Sequence, residues 1–192
     1  MPNRNIILTL DTETADLSGN VYDVGYIIHD RAGNELTRFN ALVEEIFTDA
    51  KIMMGAFYAK KLFSHYAPML DRDEIKMQSW QFIIDRLRSD IALYNVSTIA
   101  AYNIGFDMRA MNSTHRALTD EIKVLESPCK ILDIWQFACE VKLNNRNYKR
   151  IAESLGWVSL KVISKQVRSL LIVSVRVIMA LLKIIPRCLI VK

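Results

Sequence analysis

The chain has 192 residues, of which 51% are hydrophobic and 24% charged, with six glycines and four prolines. That is the make-up of one globular domain with material for a real core, and it excludes wholesale disorder, collagen-like repeats and a disulfide scaffold. The formal net charge of +4 is uneven: residues 1–158 hold 18 Lys and Arg against all 21 Asp and Glu, while residues 159–192 hold seven basic residues and no acid.

Every aromatic residue and every glycine also precedes residue 159. The basic character therefore belongs to the tail and says nothing about nucleic-acid binding by the body. Cys129, Cys139 and Cys188 are odd in number and far apart, so a reducing, cytoplasmic setting is expected. The short apolar run at the start, soon followed by three acids, lacks the length and cleavage site of a signal peptide.

Taken in chain order, residues 5–10 read as a buried first strand that ends in Asp11, Glu13 and Asp16. Residues 21–29 and 35–44 are two more β-prone runs joined by a turn sequence around Gly33, which predicts an antiparallel three-stranded start. Residues 73–93 carry Ile75, Trp80, Ile83, Ile84, Leu87 and Ile91 at helical spacing, with Asp71 and Asp73 at the mouth. His65 is expected in a loop. A short strand over 98–102, a helix over 106–118, a strand over 131–134 and helices over 135–143 and 148–155 follow, the last stopped by Gly156. Strands first and then alternating helix and strand predict an α/β domain with a mixed sheet over residues 1–158.

Asp11-Thr12-Glu13-Thr14 sets two carboxylates at i and i+2 on a strand, so both face the same side. At the edge of a core each needs a donor, a proton or a cation, and a hard divalent ion is one solution. A strand-end turn with two solvated acids is the plain alternative. Farther on, Ala101-Tyr102-Asn103-Ile104-Gly105-Phe106-Asp107 runs from a buried strand into a helix, which puts Asp107 in the first turn, where an anion is favoured.

Together, the Asp-Thr-Glu-Thr segment and the Ala-Tyr-Asn-x-Gly-Phe-Asp segment resemble the first two signature motifs of the DEDD exonucleases. This ribonuclease H-like family includes proofreading subunits of DNA polymerases, ribonuclease T and oligoribonuclease. Asp133 in Ile131-Leu132-Asp133-Ile134-Trp135 resembles the D-x-W strand of several phage and bacterial members. The resemblance covers residues 5–159 and implies a ribonuclease H-like mixed sheet with flanking helices. It also implies a 3′–5′ exonuclease that uses two Mg²⁺ or Mn²⁺ ions about 4 Å apart. Its substrate is then the 3′ end of a single-stranded nucleic acid, DNA before RNA, and its partners include a DNA polymerase.

In that frame Asp11, Glu13 and Asp107 match three of four metal ligands and are the catalytic acids. Thr12 and Thr14 match the part that receives the terminal nucleotide, with Leu17 and Phe106 as apolar contacts to base and sugar, although core packing accounts for both equally well. Asn103 is expected to buttress the loop before Asp107. The third motif, H-x-x-x-x-D or Y-x-x-x-D near the C-terminus, is not found: His29, His65 and His115 come too early, Tyr148 and Glu153 have the wrong spacing, and no acid, histidine or tyrosine follows Glu153. A non-catalytic nucleic-acid-binding or polymerase-associated module is the alternative from a different class.

The tail over 159–192 is too interrupted by Arg176, Lys183 and Arg187 to read as a membrane span. Combining the last base of each codon with the first two of the next gives another account. The codon junctions from Ile184/Ile185 to Leu189/Ile190 then permit His-Thr-Ala-Leu-Ser-Asp, an H-x-x-x-x-D motif. Earlier junctions in the same frame permit Thr-Ser-Ala-Glu followed by Tyr-Arg, which resembles a segment that phage and bacterial relatives carry before that motif. The expectation is a frameshift near Ser159, in a pseudogene or through sequencing error, that leaves the tail without evolved function.

Overall fold

The computed structural model describes residues 6–17, 19–56, 59–125 and 129–135. The helices expected over 135–143 and 148–155, the tail over 159–192 and the boundary near residue 158 lie outside the described residues, apart from the first residue of the former.

The described residues form an α/β fold around one six-stranded mixed sheet. Strands β1 (Ile7–Thr14), β2 (Val21–His29) and β3 (Glu35–Val43) are the antiparallel start, followed by short helices α1 (Glu44–Phe47) and α2 (Ala50–Gly55) and the longer α3 (Ala59–Asp71). Then come β4 (Lys76–Gln78), α4 (Trp80–Leu93), β5 (Thr98–Ala101), α5 (Ile104–Leu118) and β6 (Lys130–Asp133). The sheet order is β4-β3-β2-β1-β5-β6. Strand β5 runs parallel to β1, β6 parallel to β5 and β4 parallel to β3. This is the α/β mixed sheet that the order of elements predicts, and it is consistent with the ribonuclease H-like topology that the motif resemblance implies.

Alternation along the strands sorts the two faces. Leu8, Leu10, Val24, Tyr26 and Ile28 project to the side where Trp80, Ile83, Ile84 and Leu87 of α4 and Met111 of α5 close the main core. Each fully buried aliphatic side chain there contributes about 1.5–3 kcal/mol relative to exposure. The helices are tied to each other through Trp80, whose indole N–H donates to His115 Nδ1 at 2.9 Å. That bond fixes the tautomer: the imidazole proton sits on Nε2, which donates to Glu121 at 2.9 Å. Within β1 and β2, His29 is buried, bonded to Thr9 Oγ1 at 2.9 Å and to the Asp30 carbonyl at 2.8 Å.

Two expectations are corrected. The helix predicted over 73–93 begins only at Trp80, because Ser79 caps it by accepting from the Phe82 amide at 3.3 Å. The residues before it make the edge strand β4, which pairs with Ala41, Leu42 and Val43. Ile75 and Trp80 are both buried, but Ile75 lies in the bend just before β4 and only Trp80 is in the helix, so their five-residue spacing imitates one helical face. His65 lies within α3 and not in a loop. Among the described residues no helix is long and apolar enough to cross a membrane.

Candidate active site

β1 outruns its neighbour. Its pairing with β5 covers Ile7, Leu8 and Thr9, whereas its pairing with β2 continues to Thr14. From Leu10 onward one edge of β1 is therefore without a strand partner among the described residues, beside the point where β5 turns into α5. The chain leaves β1 toward β2 on one side and reaches β5 on the other, the kind of switch point at which α/β sheets open a crevice.

α5 places Asp107 beside that edge of β1. The helix starts from Asn103, which adopts the left-handed conformation (φ 63°, ψ 49°) without a side-chain cap. The turn is held through the Asn103 backbone: its amide donates to Asp133 Oδ1 at 3.1 Å, and its carbonyl accepts from the Phe106 amide at 2.8 Å. Asn103 thus shapes the loop before Asp107 by conformation and backbone bonding. Asp133 Oδ1 also accepts from the Trp135 amide at 3.0 Å, so β6 braces the same turn.

Asp107 is only 3% exposed. Its Oδ1 accepts two bonds from Thr12, from the amide at 3.1 Å and from the hydroxyl at 2.8 Å. The Thr12 amide is available for this because, among the described residues, no strand pairs with that edge of β1 beyond Thr9. Burial pushes the Asp107 carboxyl up to about 6, against the pull of the Thr12 bonds and with a small further push from Asp133. Asp11 is held well above the ordinary carboxylate range by burial and then by the charges of Asp107, Glu13 and Asp23. Glu13 is raised by burial and by Asp107.

The three acids named from sequence are therefore electrostatic neighbours at one end of the sheet. None of them forms an ion pair among the described residues. As donors, they suit a hard divalent cation: all are carboxylate oxygens, in a place where burial disfavours negative charge and no Lys or Arg among the described residues is paired with them. They do not form a closed ligand set, because no group of three His, Cys, Asp or Glu side chains among the described residues is placed to hold a metal ion.

The remaining candidates sit around this end. Thr14 follows a register shift between Glu13 and Thr14, a bulge that ends the regular ladder. Beyond it the chain folds back tightly, with the Ala15 amide donating to the Asn20 carbonyl at 2.9 Å and the Gly19 amide to Asp16 Oδ1 at 2.9 Å. Gly19 (φ 154°) passes so close to α5 that a Cβ would lie 2.8 Å from Ser113 Oγ. Leu17 is 82% exposed on this loop, so core packing does not account for it. Phe106 is half-buried, with the Arg109 guanidinium 5.5 Å from its ring centre.

Sequence reasoning missed two residues here. Asp23 on β2 stands directly opposite Glu13, is buried, and accepts a short hydrogen bond from the Tyr66 hydroxyl of α3. Burial and the Glu13 charge push it up to about 7 even though the Tyr66 bond pulls it down. The available signal was an acid in an otherwise apolar strand, two residues before Gly25. Compared with models of known protein families and with curated proteins, the chain matches none.

Proposed function

We propose that residues 1–158 are a divalent-metal-dependent 3′–5′ exonuclease domain that acts on single-stranded nucleic acid, DNA before RNA, and that this chain lacks the third catalytic motif. The observation that carries the reading is Asp107, which accepts two bonds from Thr12, the residue between Asp11 and Glu13 on β1, and whose charge raises both of those carboxyls. Asp11, Glu13 and Asp107 are the residues that would hold Mg²⁺ or Mn²⁺. When bound, such ions supply an activated water and neutralise charge on the leaving 3′ oxygen.

The protein's own part is positional. Thr12 fixes one Asp107 oxygen, and Asp133 fixes the turn that carries it. Leu17 and Phe106 offer apolar surface at the same sheet end for a terminal base and sugar, and Thr14 brings a hydroxyl beside them. A proton acceptor for the attacking water belongs to the third motif, which the frame of residues 159–192 does not encode.

The test uses single-stranded DNA labelled at its 3′ end, with Mn²⁺, and the chain carrying the alternative reading frame after Ser159. Mononucleotide release that needs Mn²⁺ and is lost in Asp11→Ala and Asp107→Ala supports the reading. Release that survives both substitutions contradicts it. The absence of a closed three-acid set favours a second reading, a non-catalytic nucleic-acid-binding or polymerase-associated module. That module would bind the same oligonucleotide without hydrolysing it in either frame.

A further inference from the structure

Residues 1–158 hold more acids than bases, and one end of the sheet carries Asp11, Glu13 and Asp107 as electrostatic neighbours. Such a surface repels a phosphate chain unless cations stand beside it. Most of the described arginines are already engaged, because Arg38, Arg72, Arg86 and Arg88 are each paired with a Glu or an Asp. Arg109 and Arg116 are exposed and form no ion pair among the described residues. Both lie on α5, the helix that carries Asp107.

The helix sets them on one stripe. Phe106, Arg109, Ser113 and Arg116 follow one another at spacings of three, four and three, the repeat that brings side chains to one face. Arg109, Ser113 and Arg116 are exposed and Phe106 is half-buried, so this face looks to solvent over about 15 Å of helix. The stripe begins at the site, because Phe106 adjoins Asp107 in the chain. There the Arg109 guanidinium lies 5.5 Å from the Phe106 ring centre, a flat apolar surface beside a cation, which suits a nucleotide and the phosphate that follows it. Farther along, a Cβ on Gly19 would lie 2.8 Å from Ser113 Oγ, and the Val21 amide donates to Thr114 Oγ1 at 3.0 Å. The connection that carries the exposed Leu17 is thereby fastened along the stripe.

We propose that the face of α5 formed by Phe106, Arg109, Ser113 and Arg116 is the track for the sugar-phosphate backbone of a single strand, upstream of its terminal nucleotide, with Arg109 and Arg116 each holding a phosphate. The inference rests on the single-strand reading above and adds to it a binding surface outside the acidic site. A planar guanidinium meets two phosphate oxygens at once, and contacts of this kind position a strand without reading its bases.

The experiment is binding of a fluorescein-labelled oligothymidylate by the full chain in the presence of a chelator, followed by fluorescence anisotropy over a range of salt concentrations. Combining Arg109→Gln with Arg116→Gln is expected to weaken binding at low salt and to flatten the plot of log affinity against log salt by about 0.7 for each arginine removed. Arg109→Lys keeps the charge and is expected to keep the parent slope. Arg31→Gln removes an exposed, unpaired charge from the turn between β2 and β3, at the far end of the sheet, and is expected to change neither affinity nor slope. A parent-like slope in the double variant, or a slope that falls as much per charge in Arg31→Gln, overturns the track, while the exonuclease reading stands or falls separately on Mn²⁺-dependent release. A parent chain that does not bind the oligonucleotide overturns both.

Discussion

Asp107 is held by a single residue, Thr12, through a backbone and a side-chain donor, and the two bonds do not fully offset its burial. Its carboxyl is pushed up to about 6 and that of Asp23 to about 7, against an ordinary value of 3.8. The folded state therefore keeps protons that the unfolded chain has released. The contribution to stability is full below the unfolded value and is lost as pH rises through 6 and 7. Buried His29 works in the opposite direction, because burial lowers its pKa and its protonation at acid pH opposes folding. A variant isolates the carboxylate: without divalent ions, the thermal midpoint of Asp107→Asn relative to the parent should rise between pH 5 and pH 8. A difference that is flat or falling over that range would mean that Asp107 is not buried as described.

At the scale of elements, the start of α5 decides where Asp107 goes. Asn103 accepts a left-handed backbone more readily than other non-glycine residues, and β-branched residues resist it. Asn103→Gly should leave stability within a few tenths of a kcal/mol of the parent, whereas Asn103→Val should cost about 1–2 kcal/mol. Urea denaturation measures both, and equal stabilities would show that the turn does not need this conformation. The N–H pairing of this turn with Asp133 was not legible in the sequence, where Asp133 stood out only for its D-x-W setting. Strand β2 was legible to the residue, because an apolar run between turn sequences has one reading. The start of α4 was not, because Ile75 meets the helical spacing while lying in the bend before β4. Asp23 and Tyr66 were hidden for a related reason: their meaning depends on β1 register and on α3, neither of which periodicity specifies.

Across the whole molecule, the sheet order gathers the ends of β1, β5 and β6 and the start of β2 at one side, and with them Asp11, Glu13, Asp107, Asp133 and Asp23. The sequence marked four of these acids, all but Asp23, because their motifs are local, each lying at one strand end or one helix start. It also marked the change of composition at residue 159, which the described residues do not reach. On the function proposed above, the catalytic element that would complete this acidic end lies in another frame after Ser159. The measurement that tests it most directly is the rate of nucleotide release from 3′-labelled single-stranded DNA in Mn²⁺, compared between this chain and its alternative-frame counterpart. The account predicts a rate higher by at least about 10² in the counterpart, the least that a general base ordinarily contributes. Equal rates would contradict it.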